Sequence, residues 1–152
     1  MVAHRRIVTA IMVFCITCLS LVLATYAQDS GGAKVYRTQF IELHTKVQTM
    51  LARAEQQVKI KLDPRNVLNL REEIFALGNL AHRLGVEASQ SNLRIVKSEQ
   101  DSNKTLLLIS QGCDALNFVL TALDNFLDTQ DRAFLGLAKD GEALAKTVQK
   151  IL

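Results

Sequence analysis

Beyond residue 27, His44, His82, Cys113 and Met50 are the side chains of the type that holds a metal or a haem. Such a centre needs three or four ligands at spacings that let them converge. The chain has no Cys-x-x-Cys-His haem attachment motif and no Glu-x-x-His pair of the di-iron bundles. His44 and His82 each stand one residue past an apolar position, Leu43 and Ala81. That register places both on helix flanks, partly in water, and it gives no support to a haem shared with Met50. No metal ligand and no cofactor is assigned.

Nucleophilic and acid–base chemistry fare no better. Cys113 falls between Ile109 and Leu116 on an apolar stripe, beside Asp114. A reactive thiol wants a basic, partly exposed setting, so a buried, inert cysteine is expected. In an oxidising compartment this odd cysteine could also pair between molecules. Glu72, Glu73, Asp124, Asp128, Asp131 and Asp140 fall on polar faces or at helix caps, where carboxylates are solvated. Phosphate-binding glycine loops, a nucleophile elbow and His-Glu-x-x-His are all missing from the sequence. No catalytic residue is assigned, and an enzyme is not expected.

Two further patterns invite a functional reading. Asn103-Lys104-Thr105 fits the N-glycosylation acceptor and falls in an expected turn, Glu99–Asn103. Glycines 78, 85, 112, 136 and 141 sit inside helical stretches, at about 1 kcal/mol each relative to alanine. Gly85 is a point where the helix could fray or bend, yet the apolar phase continues past it. Gly141 lies on an apolar stripe, where a locally weak helix and a close approach by another helix are the competing explanations.

The elements that would position these residues begin after a targeting segment. Met1–Arg6 carries two arginines, Ile7–Ala24 is uncharged and apolar, and Thr25-Tyr26-Ala27 offers small residues before a cut. Together they read as a secretory signal peptide over 1–27. An uncleaved anchor is the alternative, since 18 apolar residues reach the lower limit for a bilayer span. Either way the arginines hold the N-terminus in the cytoplasm and send the remainder out. A lipoprotein or twin-arginine signal fits less well, because apolar residues continue past Cys15 and Cys18 and polar Thr9 follows the arginine pair.

About 125 residues then remain, enough for one domain with a core. Cleavage leaves Cys113 alone, so the core must form without an internal disulfide, which favours a bacterial periplasm over a secreted animal domain. Two of the 18 basic residues are Arg5 and Arg6, leaving 16 against 15 acidic. Signs alternate along the chain, and no basic stripe suits a nucleic acid. Aromatics are only 5% and Pro64 is the one proline, which disfavours sheets and suits long helices.

After a polar spacer, 28–33, apolar residues recur every three or four positions from 34 to 152. Tyr36, Phe40, Leu43, Val47, Met50, Ala54, Val58 and Leu62 mark a first helix. Asp63-Pro64 stops it and caps the next. Val67, Leu70, Ile74, Leu77, Ala81, Leu84, Ala88 and Ile95 mark the second. Leu106, Ile109, Cys113, Leu116, Leu120, Leu123 and Leu127 mark the third. Continuing in phase, Phe134, Leu137, Gly141, Leu144, Val148 and Ile151 mark a fourth. Either Asp128 or Thr129 caps a separate fourth helix, or 104–151 form one rod roughly 70 Å long at 1.5 Å per residue.

The expected fold is all-α, an antiparallel up-and-down bundle of about four helices, with a long hairpin or three-helix coiled coil as the alternative. The expected function is non-catalytic protein–protein interaction outside the cytoplasm, in an adaptor, chaperone-like or envelope-accessory role. A bundle that carries haem, metal or lipid inside is one alternative; a membrane-tethered coiled coil is another. Partners are another protein or a second copy, with no nucleic acid and a membrane only if the N-terminal segment stays attached.

Overall fold

The structure, a computed structural model, describes residues 32–57, 63–94 and 100–152. The signal segment, most of the spacer, Val58, Leu62 and Ile95 lie outside the described residues. Within them are four helices and no strand: α1 (32–57), α2 (Pro64–Arg94), α3 (Gln100–Thr129) and α4 (Ala133–Ile151). The all-α antiparallel bundle expected from the periodicity is what the chain forms. Gly32 and Ala33 are already helical.

Cross-links between helices fix the topology. Ser91 Oγ donates to Tyr36 Oη at 3.2 Å, while Arg53 pairs with Glu73, so α1 and α2 are antiparallel. Arg71 Nε donates to Asp124 Oδ1 at 2.7 Å, and Gly85 lies against Cys113, which makes α3 antiparallel to α2. Gly112 meets Val148 and Gly141 meets Phe118, so α4 runs against α3. Lys139 Nζ reaches Glu55 Oε1 at 2.7 Å, and Gln48 Nε2 donates to Glu142 Oε1 at 2.7 Å. The last helix thus returns to the first, and the four close into an up-down-up-down square.

Each turn has a local cause. Pro64 opens α2, with Asp63 Oδ1 accepting from the Arg65 amide at 3.0 Å as an N-cap should. After Thr129, Gln130 takes a left-handed conformation, φ 62°, and ends α3. Asp131 Oδ1 then accepts from the Ala133 amide at 2.9 Å. That break rules out the single rod; α4 has its N-cap at Arg132, and the side chain that accepts at its start is that of Asp131, neither Asp128 nor Thr129. The expected turn at Glu99–Asn103 is also corrected in part. Gln100 to Asn103 form the first turn of α3, so the Asn103 acceptor pattern lies in a helix, half-buried. Gly85 is buried within an unbroken α2, not at a bend.

The core follows the stripes of α1 to α3 and departs from that of α4. All seven marked positions of α3 are buried, and Val119, Ala122 and Phe126 form a second buried line. α3 needs two lines because it packs on α2 and α4 at once. An 18-residue window within Asp101–Thr129 has a mean hydropathy of 1.6, enough by length and composition to cross a bilayer, and half of it is buried in the bundle. In α4 the buried residues are Leu135, Ala138, Gly141 and Ala145. Three of the six expected core positions, Leu137, Leu144 and Ile151, are 42%, 63% and 63% exposed. The turn at Gln130 shifts the helical phase, so of a stripe counted straight through it Phe134, Gly141 and Val148 still meet the core while Leu137, Leu144 and Ile151 turn outward.

Candidate functional site

Three places outside the apolar core could carry function, and each can be built from its residues. The first is a polar cluster where α1 meets α4. His44 is fully buried here, which corrects the expectation of a partly solvated flank. α1 is gripped by α2 on one side and α4 on the other, so a position one residue off the stripe is still covered. His44 Nδ1 lies 2.6 Å from Gln149 Oε1, an N–H donating to an amide oxygen. The ring stacks on Phe40 with centroids 6.1 Å apart. Nε2 has no hydrogen-bond partner and lies 3.4 Å from Glu142 Oε1. The cluster ties the first helix to the last through hydrogen bonds.

His82 is exposed on α2, as expected, and Met50 is buried among the apolar residues. Cys113 is fully buried, and burial, reinforced by Asp114, pushes its thiol up to about 12. It is neutral and unreactive at physiological pH. The structure does not gather these side chains. Among the described residues no three of His, Cys, Asp or Glu stand where they could hold a metal ion.

A groove between α2 and α3 is the second place, about 490 Å³ and lined by Phe75, Asn79, Asn117, Leu120 and Thr121 among others. Gly78 opens it: a side-chain carbon there would find only Asn117 Oδ1, at 3.9 Å. At one end the Arg71 guanidinium spans Asp124 and Asp128, a fork that pins α2 to α3. Phe75 is 73% exposed over this groove.

Third is the seam of α3 and α4. Gly141 lets α3 come so close that a β-carbon there would lie 2.8 Å from both Phe118 Cδ1 and Val119 Cγ2. Of the two explanations for this glycine, close packing is the one the structure supports. Leu137 and Leu144 stand four residues before and three after Gly141, so they flank the Phe118 ring on the outer surface. Ile151 lies one heptad beyond Leu144, and Leu107 lies three turns before Phe118 on the same face of α3. All five are between 42% and 63% exposed. The result is a row of exposed apolar side chains along the outside of two helices, interrupted on α3 by Gln111 and Asp114 between Leu107 and Phe118.

Three of these five residues were marked in the sequence but given to the core. Leu137, Leu144 and Ile151 are spaced for helix packing; only the phase of α4 tells inside from outside. Leu107 and Phe118 carried no signal beyond being apolar residues off the α3 stripe. Compared with known proteins, the chain matches no family model, no curated protein and no solved structure.

Proposed function

We propose that this chain is an exported, non-catalytic helical bundle that works by docking a protein on the apolar strip of α3 and α4. The observation that carries the reading is the strip itself. Five large apolar side chains stay in water along one seam although the bundle has already closed around its own core. Such a patch on a soluble surface is a recognition feature more often than an accident of composition. Export rests on the N-terminal pattern of arginines, apolar run and Thr25-Tyr26-Ala27. The role is adaptor-like or chaperone-like, set by helix-on-helix recognition.

A photo-crosslinking residue placed at Leu144 in the native host tests the docking, and His82 on the exposed side of α2 serves as control. A discrete protein adduct from position 144 alone is the expected outcome. Adducts equal from both positions, or none from either, would sink the reading. Fractionation and the mass of the mature chain test export, with a cut after Ala27 expected. The carrier alternative has the α2–α3 groove in its favour, whose volume is in the range of small-molecule sites.

A further inference from the structure

We propose that the groove between α2 and α3 is a binding site for a small organic ammonium ion carrying an apolar ring. The site lies apart from the α3–α4 strip, so it goes beyond the docking role and does not depend on it. Its volume of about 490 Å³ falls within the range of small-molecule sites.

The shape of the groove has a local cause. Gly78 removes a side chain from the middle of α2, level with Asn117 of α3. Buried Ile74 and Leu120 form the apolar floor that this leaves open. Phe75 and Asn79, four residues apart, make the α2 wall, and Asn117 and Thr121, also four apart, make the α3 wall. Phe75 presents its exposed aromatic ring along one side of the floor.

Charge and hydrogen bonding decide what this floor takes. Arg71 is the one cation among the lining residues, against the carboxylates of Glu72 and Asp124. Its Nε and Nη2 donate to Asp124, and its Nη1 donates to Asp128. Three carboxylates thus stand against one guanidinium, and that end of the groove is left negative. Arg71 and Glu72 precede Phe75 by four and three residues, so the acidic end adjoins the aromatic ring. Asn117 Oδ1 is the atom nearest to Gly78, which places a further acceptor over the floor. Among the described residues, the hydrogen bonds at the groove are those of Arg71, and Asn79, Asn117 and Thr121 take no part in them.

An anion would meet carboxylates at this end, and a purely apolar ligand would leave the acceptors unused. An ammonium can donate to Glu72, Asp124 and Asn117 while its ring lies on Ile74 and Leu120. The face of Phe75 adds a cation–π contact at the junction of the two. The excess of negative charge also draws such an ion to the groove from solution.

The test is titration of the chain as its host makes it with phenethylammonium, phenethyl alcohol and phenylacetate, read by amide chemical shifts. The three probes share one ring and differ in charge. Phenethylammonium should bind at least about tenfold more tightly than the alcohol, and phenylacetate more weakly than either. Its shifts should centre on Gly78, Asn79, Asn117 and Thr121. Glu72→Gln should weaken the ammonium by about fivefold and leave the alcohol unchanged. Phe75→Ala should weaken it by about fivefold or more. Gly78→Leu fills the floor and should abolish binding. Gly78→Ala, whose added carbon meets only Asn117 Oδ1 at 3.9 Å, should reduce it. Circular dichroism checks that each variant keeps the fold. No saturable binding of phenethylammonium, equal binding of all three probes, or binding that survives Gly78→Leu overturns the inference. So do shifts confined to the α3–α4 strip. A protein adduct from a crosslinker at Asn79, with no probe bound, would make the groove a docking surface and overturn it as well. Leu144 lies outside the groove, so crosslinking from position 144 decides the docking role separately.

Discussion

Gly112 and Gly136 make opposite demands on the same substitution. A β-carbon on Gly112 would lie 2.6 Å from two atoms of the Phe40 ring and 3.0 Å from Val148 Cγ1. Phe40 is fully buried and has nowhere to retreat. Gly112→Ala is therefore expected to destabilise by about 1–3 kcal/mol, overpacking outweighing the gain in helix propensity. At Gly136 an added carbon meets nothing within 4 Å. Gly136→Ala should stabilise by up to about 1 kcal/mol, as read by urea denaturation of both variants. Cys113 gives a pH test. Its thiol is raised from 9.0 to about 12 in the fold, by burial first and Asp114 second. Folding thus favours the neutral thiol, whose contribution is complete below pH 9 and is lost as pH climbs towards 12. Cys113→Ala should flatten that alkaline loss relative to the parent chain, with thiol reagents reacting at the rate of unfolding. An unchanged alkaline limb would place the loss elsewhere.

At the scale of the element, the α3–α4 turn is where local chemistry decides the fold. Gln130 carries the left-handed conformation that glycine adopts without steric cost, while its side-chain amide donates to Leu127 O at 3.1 Å. Replacement by glycine should stabilise by up to about 1 kcal/mol, since relief of the left-handed strain outweighs one partly buried hydrogen bond. Asp131→Ala should cost about 1 kcal/mol through the lost cap on Ala133. Thermal melts of the two variants should move in opposite directions. The same turn explains what was legible beforehand. Helices 1 to 3 and their buried lines could be read because Leu70, Ile74, Leu106 and Ile109 repeat within uninterrupted segments. The α4 line could not, because the count ran through residues 130–132, where the backbone leaves the helix. His44 was misread for a related reason. Periodicity marks the centre of an apolar face but not its width, and width depends on how many neighbours a helix has. The α2–α3 groove left no trace in the sequence, since it arises from Gly78 facing Asn117 across two helices.

For the whole molecule, the uneven share of the core has a dynamic consequence. α3 buries Leu106, Ile109, Leu116, Leu120, Leu123, Phe126 and Leu127, whereas α4 buries one leucine, two alanines and a glycine. Fully burying one large aliphatic or aromatic side chain is worth about 1.5–3 kcal/mol, so α4 is held far more weakly than the helix it packs on. Its other anchors are the partly buried Phe134, Val148 and Leu152 and a polar seam with α1: His44 with Gln149, Gln48 with Glu142, Glu55 with Lys139. The Glu55–Lys139 pair is exposed and adds little, and the two partly buried hydrogen bonds contribute about 0.5–1.5 kcal/mol each. α4 should therefore open as a unit before α2 and α3, with amide exchange in its middle turns reporting an opening energy lower by at least about 2 kcal/mol. The three apolar residues that α4 leaves in water, Leu137, Leu144 and Ile151, are the ones a docked protein would cover. Protection of α4 should then rise when the docked protein is bound while that of α3 around Ile109 and Leu116 stays fixed, and Leu144→Glu should abolish the rise. Equal protection of α3 and α4 in dilute solution would mean that the close glycine seam at Gly112 and Gly141 holds the helix more firmly than its buried area implies.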